Sequence, residues 1–188
     1  MITMPVKIHR PEKANPTLNI PSDAPLLFFA GPAEGVQSWQ ESAVFRTSVI
    51  ADHIIPTTVH IAEPSCVSIP KSNRLTPTDQ RTWERQHYTH AALKGGVVAF
   101  WLAAELTSKD TAPSYAKYDQ STQAGFSEVV GMCLAKPDVQ VVLGIDQAHS
   151  GRGLKEYRHA AAELGISIHN SLGSLCISAL ELMPSYAR

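Results

Sequence analysis

The sequence predicts an α/β fold built on a parallel β-sheet, and three observations carry this prediction. Short, wholly apolar runs such as 26–30 and 96–102 are typical of strands that are buried on both faces. Longer stretches with helical periodicity alternate with these runs along the chain. The length of 188 residues is sufficient for one such domain with a full hydrophobic core. Strands that alternate with helices imply right-handed crossovers and therefore a parallel sheet.

The predicted elements begin with an extended arm, residues 1–24, which is rich in proline and carries a short edge strand at Val6–Ile8. Residues 25–188 form the α/β domain. Its five strands are expected at 26–30, 57–62, 96–102, 139–144 and 166–169, and its helices at about 37–51, 77–93, 123–136, 154–164 and 172–183. The expected strand order is the flavodoxin-like, or Rossmann-like, order 2-1-3-4-5.

In a sheet of this order, ligands bind beyond the carboxyl ends of the strands, where the first and third predicted strands diverge. The loops at 31–36 and 101–122 should meet at that point. The stretch 103–122 has few apolar residues and many polar ones. We therefore expect it to be a loop that covers or binds the substrate.

The segment from Gln123 to Gly131 is expected to open the helix that follows this loop, with Glu128 close to the helix N-terminus. Backbone N–H groups and the helix dipole stabilise a carboxylate at such a position. A positioned carboxylate is the nucleophile that glycosyl-transferring enzymes use. The alternative is a glutamate that only stabilises the first helical turn.

Several segments together resemble the nucleoside 2-deoxyribosyltransferase family, in particular its broad nucleoside 2-deoxyribosyltransferase-like branch. They follow one another in the order seen in the family and span roughly 25–183. The segments are Phe28–Pro32 with Ser38–Gln40, Gln80 with Trp83 and Glu84, Phe100–Glu105, and Gly125–Glu128 with Gly131.

The resemblance implies that Glu128 attacks the anomeric carbon of a nucleoside and expels the base, and that a second base or water completes the reaction. It implies no cofactor and no metal. The candidate substrate-binding residues are Gly31, Pro32, Trp101, Glu105, Asp119, Thr122, Gly125 and Ser127. In the family an aspartate lies six residues before the glutamate, whereas this chain has Thr122 beside Ser121. Hydroxyl residues there resemble the related N-glycosidases that act on nucleoside 5′-monophosphates.

Each candidate also has a structural interpretation. Trp39 and Trp101 could stack on a base or pack in the core, and the acids of the loop could be solvated. His87 and His90 are spaced to share a metal, but no third ligand stands nearby, so a solvated helix face is the preferred interpretation. A nucleotide-binding protein without catalytic activity remains the alternative of a different class.

The composition narrows the classes of partner. Lys and Arg number 16 and Asp and Glu 17, and the charges are spread along the chain, so neither a nucleic-acid polymer nor an anionic membrane is expected as a partner. The three cysteines are far apart, and we expect Cys133 and Cys176 to be reduced core residues. We expect a soluble cytoplasmic protein that forms a homo-oligomer and binds a nucleoside or nucleotide and a free base.

Overall fold

The fold is a six-stranded parallel sheet with helices on both faces, a Rossmann-like α/β arrangement. The computed structural model describes residues 6–32, 36, 38–54, 58–65, 68–104, 112–149 and 153–183, except for the side chains of 52–54 and 112–121. The strands are β1 (Val6–His9), β2 (Leu26–Ala30), β3 (Val59–Ala62), β4 (Val97–Leu102), β5 (Gln140–Ile145) and β6 (Ile168–His169). The helices are α1 (Gln40–Ile54), α2 (Pro77–Leu93), α3 (Ala112–Ala135), α4 (Leu154–Leu164) and α5 (Leu172–Leu182).

The strand order is β1-β3-β2-β4-β5-β6, and each described pair is parallel. The last five strands along the chain reproduce the predicted order 2-1-3-4-5. The predicted count of five strands is wrong, because the arm adds β1 beside β3, with Val6 opposite Val59 and His9 opposite Ala62. The edge strand expected at Val6–Ile8 is thus a full member of the sheet.

Two hydrophobic cores lie on opposite faces of the sheet. Side chains of α1 and α5 form one core with Leu27 and Phe29 of β2, and side chains of α2, α3 and α4 form the other with Leu26 and Phe28. Alternate residues of β2 point to opposite faces, and all five are buried, which is why the whole run is apolar.

The helices α2 and α5 begin at the residues predicted for them, 77 and 172. Thr76 accepts a hydrogen bond from the Asp79 backbone N–H at the start of α2, with Pro77 in the first helical position. Ser171 caps α5 in the same way by accepting from the Ser174 N–H. Cys176 is buried, Cys133 is half-buried, and both are free thiols.

The substrate loop expected at 103–122 is wrong from Ala112 onward, where the chain is already helical. Pro113 lies in the first turn of α3, where a proline costs no hydrogen bond, and neither glycine nor proline follows until Gly125. The polar character that suggested a loop is therefore compatible with a helix. In the part of the chain that the structure describes, no helix combines the length and apolar character needed to cross a bilayer.

Candidate functional site

Glu128 lies in the C-terminal half of α3 and faces α2. The Tyr88 hydroxyl donates a hydrogen bond to Glu128 Oε2, and Arg85 Nη2 lies 2.9 Å from Glu128 Oε1. The Glu128 side chain is 37% exposed and the Arg85 side chain 71% exposed. The carboxylate is thus held by two side chains of a neighbouring helix and still reaches solvent.

This environment differs from the predicted one, in which the N–H groups of a helix N-terminus hold the carboxylate. Since α3 begins at Ala112, Glu128 is several turns from that end, and the helix dipole acts mainly within the first turn. The prediction that Glu128 lies near a helix N-terminus is wrong, and Arg85 and Tyr88 take the role assigned to the backbone.

Tyr88 is fixed by packing as well as by its hydrogen bond. Its ring meets the ring of Phe28 in β2 edge-on, with the centroids 5.8 Å apart. Burial raises the pKa of Tyr88, and the hydrogen bond to Glu128 raises it further. The hydroxyl therefore stays protonated and remains a donor to the carboxylate at any physiological pH.

A second acid, Glu84, lies one helical turn before Tyr88 on α2. Its Oε1 accepts a hydrogen bond of 2.9 Å from Gln80 Nε2, and Gln80 Nε2 also lies 3.3 Å from the backbone oxygen of Pro64, just beyond β3. Burial raises the pKa of Glu84, although the bond from Gln80 partly opposes the shift. The negative charge of Glu84 also raises the pKa of Tyr88, so both carboxyl groups act on one hydroxyl.

The turn of α3 that precedes Glu128 leaves space beside the carboxylate. Gly125 and Ala124 lie three and four residues before Glu128, on the same helix face. No heavy atom lies within 4 Å of the position that a Cβ of Gly125 would occupy. The predicted site residue Gly125 therefore lies on an open surface of α3, one helical turn before Glu128.

Two other predicted site residues of α3 do not face α2. The Ser127 hydroxyl donates to the backbone oxygen of Gln123 at 2.9 Å, and both residues line a cavity of about 180 Å³ between α3 and α4. Phe126 and Tyr157 supply an aromatic wall of this cavity. Thr122 is buried, at 8% exposure. Ser127 thus belongs to a hollow on the opposite flank of α3 from the Arg85 contact.

Gly31 and Pro32, which follow β2, are held by close contacts with neighbouring residues. Gly31 has φ of 149°, and a Cβ there would lie 2.2 Å from the Trp101 backbone oxygen, so only glycine fits. The Pro32 carbonyl accepts from Trp39 Nε1 at 2.8 Å and from Gln40 Nε2 at 3.4 Å. Pro32 is therefore engaged in shaping the turn at the carboxyl edge of the sheet.

Trp101 packs in the core on the face of the sheet that carries α1 and α5, at 4% exposure. Its ring lies against Gly144, where an added Cβ would be 2.3 Å away. Glu128 lies on the other face, with α2. The structure does not bring Trp101 together with Glu128, and the core interpretation holds for both Trp101 and Trp39.

The remaining candidates lie outside the described residues. Glu105 falls in 105–111. Asp119 and Ser121 belong to the described backbone of α3, but their side chains are outside the description.

The expectation of a solvated face for His87 and His90 is wrong. His87 is 1% exposed and stacks on Trp83 with the ring centroids 3.7 Å apart, and His90 is 7% exposed. The ring of His9 in β1 lies 6.3 Å from that of His87, and His90 Nε2 donates to the backbone oxygen of Ala24. The helix sequence alone does not reveal these contacts. Among the side chains that the structure describes, no cluster of three or more potential ligands is arranged to hold a metal ion.

Sequence reasoning missed Tyr88 and Arg85 as partners of Glu128. The spacing Gln80, Glu84, Tyr88 places three polar side chains on one face of a helix and was available as a signal. The pairing of that face with α3 was not available, because it depends on how two distant helices pack.

Comparison with protein-family models and with curated proteins finds no match to this chain.

Proposed function

We propose that this protein cleaves the N-glycosidic bond of a nucleoside or deoxynucleoside and passes the sugar to water or to a second base, with Glu128 as the nucleophile. The observation that carries the proposal is the hydrogen bond from the Tyr88 hydroxyl to Glu128, with a second carboxyl group, the buried Glu84, one helical turn before Tyr88 on the facing helix. Most enzymes that cleave glycosidic bonds use two carboxyl groups whose environments differ. The resemblance of the sequence to nucleoside 2-deoxyribosyltransferases supports the same chemistry.

In the first step, a Glu128 oxygen attacks the anomeric carbon and forms an ester bond while the carbon–nitrogen bond to the base breaks. The electron pair of that bond goes to the base nitrogen, and Glu84 delivers a proton to the base. Burial favours the protonated form of Glu84, which suits this role. The products of the step are a free base and a glycosyl ester of Glu128.

In the second step, a second base or water attacks the anomeric carbon and displaces the Glu128 carboxylate, with retention of configuration. The Glu84 carboxylate accepts the proton that the attacking group loses. Tyr88 holds Glu128 Oε2 in both steps. Arg85 is exposed, and an exposed ion pair contributes only about 0–1 kcal/mol, so the guanidinium can leave Oε1 at small cost when a sugar enters.

The central experiment incubates the protein with a deoxynucleoside and a foreign free base and measures the exchanged nucleoside by mass spectrometry. We expect Glu128→Gln to lower the rate at least about 10³-fold, since the amide cannot form the ester, and Tyr88→Phe to lower it about 10-fold to 100-fold. Glu163→Gln in α4 removes an exposed carboxylate that pairs with His159, and it serves as the matched control. Equal turnover by wild type and Glu128→Gln would refute the assignment.

A pair of glycine variants tests the space beside Glu128. Gly125 and Gly131 lie three residues before and after Glu128, and neither has a heavy atom within 4 Å of an added Cβ. We expect Gly125→Leu to abolish turnover by filling the sugar position, and Gly131→Leu to retain it. Retention by both variants would place the substrate elsewhere.

Hydrolysis of a nucleoside 5′-monophosphate is the second candidate, because the exposed Arg85 guanidinium beside Glu128 can bind a phosphate. Release of free base without an acceptor, faster from the monophosphate than from the nucleoside, would select this reaction. Thermal stabilisation by a nucleotide that stays intact would instead select a binding protein without activity.

A further inference from the structure

Four histidines meet where the N-terminal arm, here residues 6–24, contacts the domain. His9 of β1 lies against His60 of β3, with His9 Nε2 and His60 Nδ1 3.0 Å apart and the rings stacked at 5.2 Å. The ring of His87 in α2 lies 6.3 Å from that of His9. His90 Nε2 donates to the Ala24 backbone oxygen at 2.8 Å and thus holds the other end of the arm.

This contact depends on neutral rings. The hydrogen bond between His9 and His60 needs one N–H and one lone pair, so two protonated rings would place two donors and two positive charges face to face. His60 and His87 are 5% and 1% exposed, and burial of an unpaired charge is costly. The contact is therefore stable only at a pH that keeps the rings of His9, His60 and His87 neutral.

We propose that this contact is an acid-sensitive latch: while the rings of His9, His60 and His87 are neutral it holds the arm on the edge of the sheet, and on their protonation it releases the arm while the rest of the sheet stays folded.

The charged groups around the rings act in the same direction. Burial, as the main cause, and repulsion by His60, Lys7 and His90 together lower the pKa of His9 to about 4. Burial lowers the pKa of His87 to about 4 as well, although its hydrogen bond to the Trp83 carbonyl opposes the shift. Burial, Lys7 and His90 lower the pKa of His60.

Acid weakens the docking of the arm, because the histidines bind protons more readily when the arm is released. Released histidines regain a pKa near 6.5, so the released arm binds more protons than the docked arm between about pH 6.5 and 4, and docking weakens as pH falls through that window. For His9 alone, the equilibrium constant for release rises at most about 30-fold from pH 8 to pH 5. His60 and His87 add to this rise to the extent that release exposes them.

One carboxyl group opposes the latch. Arg10 of the arm binds Glu63 Oε2 at 2.9 Å, and Glu63 has no exposed side-chain surface. Burial raises the pKa of Glu63 against the lowering effect of Arg10, so the docked arm favours a protonated Glu63 and acid stabilises docking there. Acid thus weakens docking through three histidines and strengthens it through one glutamate, and we expect the net effect to be release of the arm.

The latch sits at the edge of the sheet, which makes local release possible. The arm supplies β1, which pairs only with β3 in the described sheet. The arm also contacts the short turn that precedes α2, where Lys13 Nζ donates to the Ser72 oxygen at 2.8 Å, and its partly buried Val6 and Ile20 pack on the two cores. Strands β4 and β5 lie at the centre of the sheet, so their hydrogen bonds do not depend on the arm.

Hydrogen exchange measured by mass spectrometry at pH 8, 6.5 and 5, corrected for intrinsic exchange rates, tests the latch on the full chain. Peptides from 6–24 should lose protection by at least 10-fold, whereas peptides from β4 and β5 should keep theirs. His9→Gln retains a hydrogen-bonding side chain that cannot be protonated, and it should reduce the change to less than about half of the wild-type value. His159→Gln removes an exposed histidine of α4 and should behave as wild type.

Lys7→Gln provides a second test of the acid response in case the arm does not dock in the His9→Gln variant. Lys7 is exposed, and its charge disfavours protonation of His9 and His60 in the docked arm, so the neutral variant should show a smaller acid effect than wild type. Unchanged protection of the arm at pH 5, loss of protection in the arm and β4 together, or identical acid responses of wild type and Lys7→Gln would each overturn the proposal.

Discussion

The two flanks of α2 carry polar side chains of opposite character. On one flank, Trp83 and His87 are 1% exposed, and the ring of His87 lies 6.3 Å from that of His9 in β1. On the other flank, Tyr88 and Arg85 hold Glu128 of α3, and the side chains of Arg85 and Glu128 are 71% and 37% exposed. The flank that is closed to water contributes to stability and is kept uncharged, whereas the open flank keeps its charges and contributes little to stability.

The difference teaches that burial, more than residue type, decides what a polar side chain does. A histidine under a β-strand loses its charge because desolvation disfavours the cation. A carboxylate at a helix–helix groove can keep a cationic partner and still be reached by a ligand. Three predictions test this contrast, and they are ordered from the largest expected effect to the smallest.

Trp83→Ala should cause the largest loss of stability, about 3–5 kcal/mol, because it opens a cavity under α2 and removes the ring that stacks on His87. Urea denaturation at pH 7.5 or thereabouts measures the change. Arg81→Ala replaces an exposed side chain of the same helix and should change stability by less than about 0.5 kcal/mol. A loss below about 1 kcal/mol for Trp83→Ala would show that the closed flank does not support the fold.

Glu84→Gln should have a smaller effect, with a pH dependence opposite to that of the histidines. Since the pKa of Glu84 is raised in the folded state, the folded state holds the extra proton, and the stabilisation is present at low pH and lost as pH rises through the folded pKa. The glutamine carries no charge to desolvate and retains the acceptor for Gln80. We expect the variant to gain less than about 1 kcal/mol at pH 8 and nothing at pH 4.

Urea denaturation of wild type and Glu84→Gln across this pH range makes the comparison. A variant that is less stable than wild type at pH 8, or a difference that does not vary with pH, would contradict the assignment of Glu84 as a buried acid.

The ion pair of Arg85 and Glu128 should show the smallest effect. A double-mutant cycle with Arg85→Gln and Glu128→Gln should give a coupling of about 0.2–1 kcal/mol, because both side chains are partly exposed. Salt at about 1 M should reduce this coupling further. The exposed pair of Lys136 and Asp138, 3.3 Å apart, is the matched control and should give a similarly small value. A coupling above about 2 kcal/mol would mean that the pair is built for stability, and the nucleophile would then not be free to react.

Local sequence was sufficient to predict most of the sheet. The run Leu26–Ala30 is a strand with the predicted bounds, and α2 begins and ends at Pro77 and Leu93, also as predicted. Apolar runs, caps and glycines act over a few residues, so their effects can be read from neighbours along the chain. The first half of α3 was missed because its polar composition fits a helix and a loop equally well.

The sequence by itself determined the α/β class, the order of five strands and the choice of Glu128 as a candidate nucleophile. Only the tertiary structure decided that Tyr88 and Arg85 hold Glu128, that Trp101 packs on the opposite face of the sheet, and that His9 of β1 lies beside His87 of α2. Each of these outcomes joins residues that are about 40 or more positions apart or lie on opposite faces of one strand. Such contacts follow from the packing of whole elements, which no local pattern specifies.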